Sequence, residues 1–246
     1  MMEEMILHIP HASPLIPAEY RKSFPEDVRE EIRLMTDWYT DELIAFPCSR
    51  LVFPVSRLVC DVERFRRDED EVMSEKGMGA VYTKRHDGSP LRSVTARERE
   101  AILKRYYDPH HARFTQCART KLRRYDRCLI IDCHSFFPEP LPHEPDQERD
   151  RPDICIGTDP FHTPRFLEEE TAALFSGMGY SVRLNEPFSG TIVPSPFYLK
   201  EKSVRSVMIE VNRGLYLTPE CRRSPAFSAI CSDLCRVLLD LSCLGI

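Results

Sequence analysis

Residues 128–135 read Cys-Leu-Ile-Ile-Asp-Cys-His-Ser, an apolar run interrupted by one acid and closed by a histidine and a serine. A run this short, with a β-branched pair at its centre, reads as a strand buried on both faces. Such strands lie inside parallel or mixed sheets whose faces are covered by helices. Outward from it, Val204 to Val211 is a second strand of the same kind, and Met5 to Ile9 a third, stopped by Pro10. Arg50 to Phe53, Arg57 to Cys60, Ile154 to Gly157 and Ser181 to Leu184 are shorter strand candidates. Longer amphipathic stretches alternate with these runs, the pattern of an α/β chain.

Four helices are expected. Residues 26–44 carry apolar side chains at 28, 32, 35, 39 and 43, a helical period, after a start signal at Ser23-Phe-Pro-Glu26. Residues 95–125 open on Thr95-x-x-Glu98, a capping box. Thr163 to Met178 and Pro219 to Leu241 are the others. Residues 61–91 turn charged and glycine-containing, and structureless stretches of that length are uncommon without a task. The Pro- and acid-rich segment after Phe136 reads as exposed loop. The expectation is one α/β domain over residues 1–246, a mixed central sheet flanked by helices.

Lys and Arg number 34 against 39 Asp and Glu, a net charge of −5 in 246 residues. That balance argues against a dedicated nucleic-acid or anionic-membrane binder. The ten cysteines fall at irregular spacings with no C-x-x-C. Cys60, Cys128, Cys133 and Cys155 sit in apolar runs where a thiol packs as a small hydrophobe. Free thiols suit a reducing compartment, the N-terminus has no secretory pattern, and no run approaches a membrane span; a cytoplasmic protein is expected.

In open α/β sheets ligands bind beyond the carboxyl ends of strands. His11 follows the first strand, His134 ends the central one, and Glu210 lies in a late one. Two imidazoles and a carboxylate are the donors of a catalytic zinc site, which keeps one position open. A third ligand is needed. Asp37 is preferred to Asp41 because Met35, Trp38 and Tyr39 surround it, so that it is partly buried and needs a partner. Asp132 shares a strand face with His134 and would orient it from behind. A single core histidine is commonly structural, and His8, three residues before His11, is assigned that role. Ser13 and Ser135 lie outside any G-x-S-x-G elbow, and Cys133 points away from its neighbour His134.

Eight motifs occur in a fixed order: His11-Ala-Ser13, the Asp37 segment, Asp61-Val-Glu-Arg64, Tyr107-Asp-Pro-His-His111, Asp132-Cys-His134-Ser135, Arg151-Pro-Asp-Ile-Cys-Ile-Gly157, Asn185-Glu-Pro-Phe-Ser-Gly190 and Glu210-Val-Asn-Arg213. Each is weak alone. As an ordered set reaching about Tyr216 they resemble the N-formylglutamate amidohydrolase family, whose members are similar in fold to zinc carboxypeptidases and aspartoacylases. The resemblance implies a mononuclear site with His11, Asp37 and His134 on the metal, zinc first among candidates, and Glu210 as general base. It implies cleavage of an N-formyl or N-acyl amino acid, N-formyl-L-glutamate above others, by metal-activated water, a step of histidine catabolism. Arg64 matches the Arg of the family's Asp-x-Asn-Arg and would grip a substrate carboxylate; Arg213 is a second anchor, with His111 and Asn185 as lesser substrate contacts.

Two departures stand out. Pro10-His11-Ala12-Ser13 replaces the usual Pro-His-Ser-Gly, and Glu63 stands where the family has Asn. They keep open a deacylase or carboxypeptidase for another acidic acyl amino acid. A third reading, of another class, is a nucleic-acid-binding or scaffold protein using Arg113, Arg119, Lys121, Arg123, Arg124 and Arg127. Phe114, Ala118 and Leu122 mark the buried face of that helix, and a solvated basic face is the plainer explanation. Nothing in the sequence sets the oligomeric state.

Overall fold

The computed structural model describes residues 2–244. Six strands, β1 (Met5–Ile9), β2 (Ser49–Val52), β3 (Cys128–Phe136), β4 (Ile154–Gly157), β5 (Val182–Leu184) and β6 (Val204–Asn212), form one sheet in the order β2-β1-β3-β6-β4-β5. Only the β4–β6 pairing is antiparallel, so the sheet is mixed. All nine residues of β3 are buried, as its composition predicts. Helices α1 (Val28–Met35), α2 (Thr40–Leu43), α3 (Ala96–Ile102), α4 (Asp108–Tyr125), α5 (Arg165–Gly177) and α6 (Phe227–Cys243) surround it.

Alternation along the strands sorts two cores. Met5, Leu7, Ile9, Leu129, Ile131, Val207 and Ile209 pack against Leu167, Phe175, Leu234 and Leu238 of α5 and α6. Ile6, Cys128, Ile130 and Val204 meet Phe114 and Ala118 of α4 on the other face. A third cluster packs Val62, Met78, Ala80, Tyr82 and Leu91 of the segment 61–91 against Phe53, Leu58, Ile102 and Leu103. That segment has no long element, yet it is packed. Among the described residues no helix is long and apolar enough to cross a membrane. The ten cysteines are unpaired; Cys60, Cys128, Cys133 and Cys155 are buried, whereas Cys235 and Cys243 are exposed.

Several boundaries differ from the sequence reading. Residues 26–44 are two helices, interrupted at Thr36–Tyr39. Thr36 is extended and Tyr39 sits at φ +62°. No Pro or Gly marks the break, because the helical period continues across it; side chains make it instead. Trp38 Nε1 donates to the Arg33 carbonyl and Arg213 Nη1 to that of Leu34, satisfying carbonyls that end α1. Ser23 closes a 3-10 turn and caps no helix, and Asp27 at the helix start makes no side-chain cap. Arg57 to Cys60 is a turn, not a strand, and α6 begins at Phe227 because residues 219–226 hold a turn and a bridge. The capping box at Thr95 and Glu98 forms. The long helix from there to Tyr125 widens into a π-helical turn at Leu103–Tyr107, just ahead of Pro109, whose ring cannot be accommodated by a regular i→i−4 ladder.

Candidate active site

The site lies where β1, β3 and β6 end. The β3–β6 register sets His134 beside Glu210. After Ile9 the chain leaves the sheet at Pro10, and the His11 carbonyl accepts a hydrogen bond from the Asp37 backbone N–H at 3.0 Å. The helix break therefore has a structural consequence: it swings Asp37 onto the strand ends. Asp37 Oδ2 lies 3.2 Å from His134 Nδ1 and 3.8 Å from His11 Nδ1. All three residues are buried, and one ligand atom from each falls within 4.8 Å of the others, close enough to hold a metal ion.

Both imidazoles are held from behind. His11 Nε2 lies 2.8 Å from Asp61 Oδ1 and His134 Nε2 lies 3.1 Å from Asp132 Oδ1. With each Nε2–H donated outward to a carboxylate, both Nδ1 atoms turn towards Asp37. His11 Nδ1 is buried without a hydrogen-bond partner. Lone pairs and a carboxylate meeting in a buried space require a proton or a cation between them, and a carboxylate behind each histidine is the usual support of a metal-bound imidazole. The donor set thus fits a divalent metal.

The charges respond accordingly. Burial opposes ionisation of Asp37, but the adjacent imidazoles of His11 and His134 and the charge of Arg213 hold it well below the usual range. Burial likewise opposes protonation of His134, yet Asp132 and Asp37 raise its pKa well above the ordinary value. Burial pushes Glu210 up to about 8, with His134 pulling it down and Asp37 adding to the rise. Glu210 Oε2 has no hydrogen-bond partner, so this carboxyl is free to meet a ligand.

These residues open into a cavity of about 830 Å³ lined by Arg57, Glu63, Arg64, Glu71, His111, Phe136, His143, Phe188, Ile192 and Met208, among others. Arg64 sits in it with Nε buried and unpartnered; its nearest acids, Asp61 and Glu71, are 3.7 and 4.0 Å away. The segment bearing Arg64 is pinned by α4 and the turn before it, since Tyr107 Oη donates to the Arg64 carbonyl and His111 Nε2 to that of Val62. His111 therefore lines the cavity, but its Nε2 is engaged with backbone.

Two expected substrate contacts are placed differently. Arg213 Nη2 donates to Asp37 Oδ1 at 2.8 Å and to the Ser135 carbonyl, Nη1 to the Leu34 carbonyl, and Nε to Ser135 Oγ. It is stacked on Phe137 at 4.5 Å. Arg213 lines the cavity, but these donors brace Asp37 and the helix break. Asn185, in a left-handed conformation at φ +57°, exchanges hydrogen bonds with Thr158 and lies outside the cavity lining; it clamps the turn after β4.

Two residues escape the sequence reading. Asp61 accepts from His11, from Arg57 twice, from Tyr82 Oη and from the Glu63 N–H, and Arg57 lines the cavity. The Asp61-x-x-Arg64 motif contains the signal for the first; nothing in sequence marks Arg57. His8, assigned to structure, points to the same sheet face as Asp132. Its Nδ1 is 3.0 Å from both Asp132 Oδ1 and Glu63 Oε1, and its Nε2 is 2.9 Å from His110 Nε2. Burial opposes protonation of His8, but those two acids carry its pKa to about 9, while burial and the nearby His8 push His110 down to about 2. Glu63, the residue that replaces the family Asn, is therefore turned inward onto His8. Arg66, three residues on, pairs with Asp108 and Glu100 and leaves Glu63 alone. Of the basic cluster, Arg124 and Lys121 reach Glu3 from α4, and Arg127, beyond the helix end, reaches Glu4.

An α/β scaffold that presents two imidazoles, a carboxylate, an unpartnered carboxyl and a cavity-facing guanidinium at its strand ends has the apparatus of a hydrolase acting on an amide bond. The family model for N-formylglutamate amidohydrolase matches residues 3–217, and the chain belongs to that family. Among solved structures it is similar to N-formylglutamate amidohydrolase from Ralstonia eutropha JMP134, with a TM-score of 0.83, 20% identity and coverage of 98% of this chain and 93% of that one. It is also similar to a gene product of Agrobacterium tumefaciens, with a TM-score of 0.74, 20% identity and coverage of 98% and 90%. No curated protein matches the sequence significantly.

Proposed function

We propose that the protein hydrolyses the amide bond of an N-acyl amino acid, with N-formyl-L-glutamate as the reference substrate, and that His11, Asp37 and His134 hold a divalent metal for the purpose. The observation that carries this reading is the convergence of His11 Nδ1, His134 Nδ1 and Asp37 Oδ2 beside an unpartnered Glu210. Imidazole and carboxylate donors make zinc the first candidate. When bound, such an ion supplies Lewis acidity to the amide carbonyl and lowers the pKa of water from 15.7 towards about 7.

The side chains perform the remaining work. Glu210 takes a proton from the attacking water and returns it to the leaving amine, so the C–N bond breaks without a covalent enzyme intermediate. Its pKa of about 8 is set by burial, and a cation alongside draws it down towards the working range. Arg64 holds the substrate carboxylate: the side chain lines the cavity, with its nearest acids 3.7 and 4.0 Å away. Asp61, Asp132 and Arg213 position the three ligands. If formylglutamate is the substrate, formate and glutamate are the products and the reaction belongs to histidine degradation. The unpaired cysteines suit a reducing, cytoplasmic setting.

The test combines metal analysis with turnover of N-formyl and N-acetyl amino acids. His11→Ala with His134→Ala loses the metal, and full stoichiometry in that double variant would overturn the ligand assignment. Glu210→Gln keeps the metal and loses about 10²- to 10⁴-fold in kcat; a near wild-type rate removes it as the base.

A further inference from the structure

Resting on the amidohydrolase reading, we propose that the acyl side of the cavity takes an apolar chain of several carbons, so that amino acids acylated with such a chain are better substrates than their N-formyl counterparts. A formyl group is a single carbon and needs almost no pocket. The cavity, at about 830 Å³, is of the size that takes drug-sized ligands, far larger than N-formylglutamate.

The two flanks of the cavity differ in chemistry. The sheet order places the segment after β2, with Arg57 and Arg64, on one side of the His11–Asp37–His134 group, and the segment after β5 on the other. Residues 187–198 of that second flank contain no charged side chain. Phe188, Ile192, Val193 and Tyr198 line the cavity from it, joined by Phe136 of β3 and Met208 of β6. This flank is fixed to the strands that bear the site. The Ile192 N–H donates to Asp132 Oδ2 at 3.2 Å, Ser206 Oγ donates to the Ile192 carbonyl at 2.9 Å, and the Phe136 and Phe188 rings are 5.7 Å apart.

Substrate geometry then assigns the flank. The carboxylate and the acyl carbon of an N-acyl amino acid lie on opposite sides of the amide nitrogen. With the carboxylate on Arg64 and the carbonyl at the metal ligands, the acyl chain extends away from Arg64, onto the uncharged flank. Each methylene buried there improves kcat/KM by roughly three- to fourfold.

The experiment measures kcat/KM of the metal-loaded enzyme for N-formyl-, N-acetyl-, N-butanoyl- and N-hexanoyl-L-glutamate, with N-formyl-L-phenylalanine alongside. A rise with chain length that reaches at least about 30-fold from formyl to hexanoyl is expected. Ile192→Asp lowers the hexanoyl-to-formyl ratio at least about tenfold. Inhibition of the wild-type enzyme by hexanoate at lower concentration than by acetate is the second expected result, and it does not depend on the variant folding. Best activity on the N-formyl compound, falling with chain length, overturns this inference and leaves the amidohydrolase reading standing. Preference for N-formyl-L-phenylalanine without any gain from longer acyl groups makes the flank a side-chain pocket and also overturns it. Hydrolysis of no member of the panel overturns the amidohydrolase reading and this inference with it.

Discussion

Asp61→Asn changes one atom in shape and nearly everything in chemistry. The carboxylate is fully buried and faces donors on both oxygens. Oδ1 takes His11 Nε2 at 2.8 Å and the Glu63 N–H at 3.0 Å; Oδ2 takes Arg57 Nε at 3.1 Å, Arg57 Nη2 at 2.9 Å and Tyr82 Oη at 2.8 Å. An amide must turn its NH₂ towards one of these groups. Facing Arg57 and Tyr82, it sets donor against donor and leaves the mostly buried Arg57 guanidinium without a counter-charge. Facing His11, it forces the ring to accept at Nε2, which moves the proton to Nδ1, the atom turned towards Asp37. Removing one partner of a buried ion pair costs about 3–5 kcal/mol, and losing the carboxylate behind a metal-binding histidine costs about 10- to 100-fold in affinity. Urea denaturation in the presence of a chelator isolates the first effect, and competition with a chromogenic chelator measures the second. A variant within about 0.5 kcal/mol of wild type that binds metal within twofold would refute both roles of Asp61, as counter-charge to Arg57 and as support for His11.

Two further outcomes follow from the same geometry. Arg213→Met removes the 2.8 Å contact to Asp37 and leaves a buried carboxylate short of a cation. Stability should fall by about 3 kcal/mol and metal affinity with it, whereas a raised KM at unchanged metal affinity would restore Arg213 as a substrate anchor. Glu210 supplies a pH test in chelator. Its folded pKa, about 8, lies above the ordinary value of 4.5, so between those values the folded state holds a proton that the unfolded state has released. Stability contributed by that proton is complete below the unfolded pKa and is lost as pH rises through the folded one. Wild type should therefore lose stability relative to Glu210→Gln between about pH 5 and 8 in denaturation curves, and parallel profiles would sink the assignment.

Much of the architecture is readable because burial and side-chain period are local properties. The β3 run, the β6 run, Met5 to Ile9 and the Thr95 capping box each carry their signal within a few residues, and each forms. The errors fall where distant side chains override a local pattern. The period through residues 28–43 predicts one helix, but Arg213, 176 positions beyond Asp37, holds it open. Arg57 to Cys60 has strand composition, yet Asp61 and Arg92 hold it in a turn, the latter through the Leu58 and Val59 carbonyls. His8 keeps the structural place given to it, fully buried, and only the sheet register shows that its partner is Asp132.

From sequence come the alternating elements, the acidic balance, the free cysteines and the residue types able to bind a metal, because each depends on composition and short-range spacing. Folding supplies the rest: which nitrogen of each histidine faces Asp37, that Arg213 braces an acid, that Glu63 pairs with His8, and that the uncharged segment 187–198 lines the same cavity as Arg64. Those features depend on groups brought together from separate strands and loops, and hydrogen-bond partners chosen across such distances leave no period in the chain.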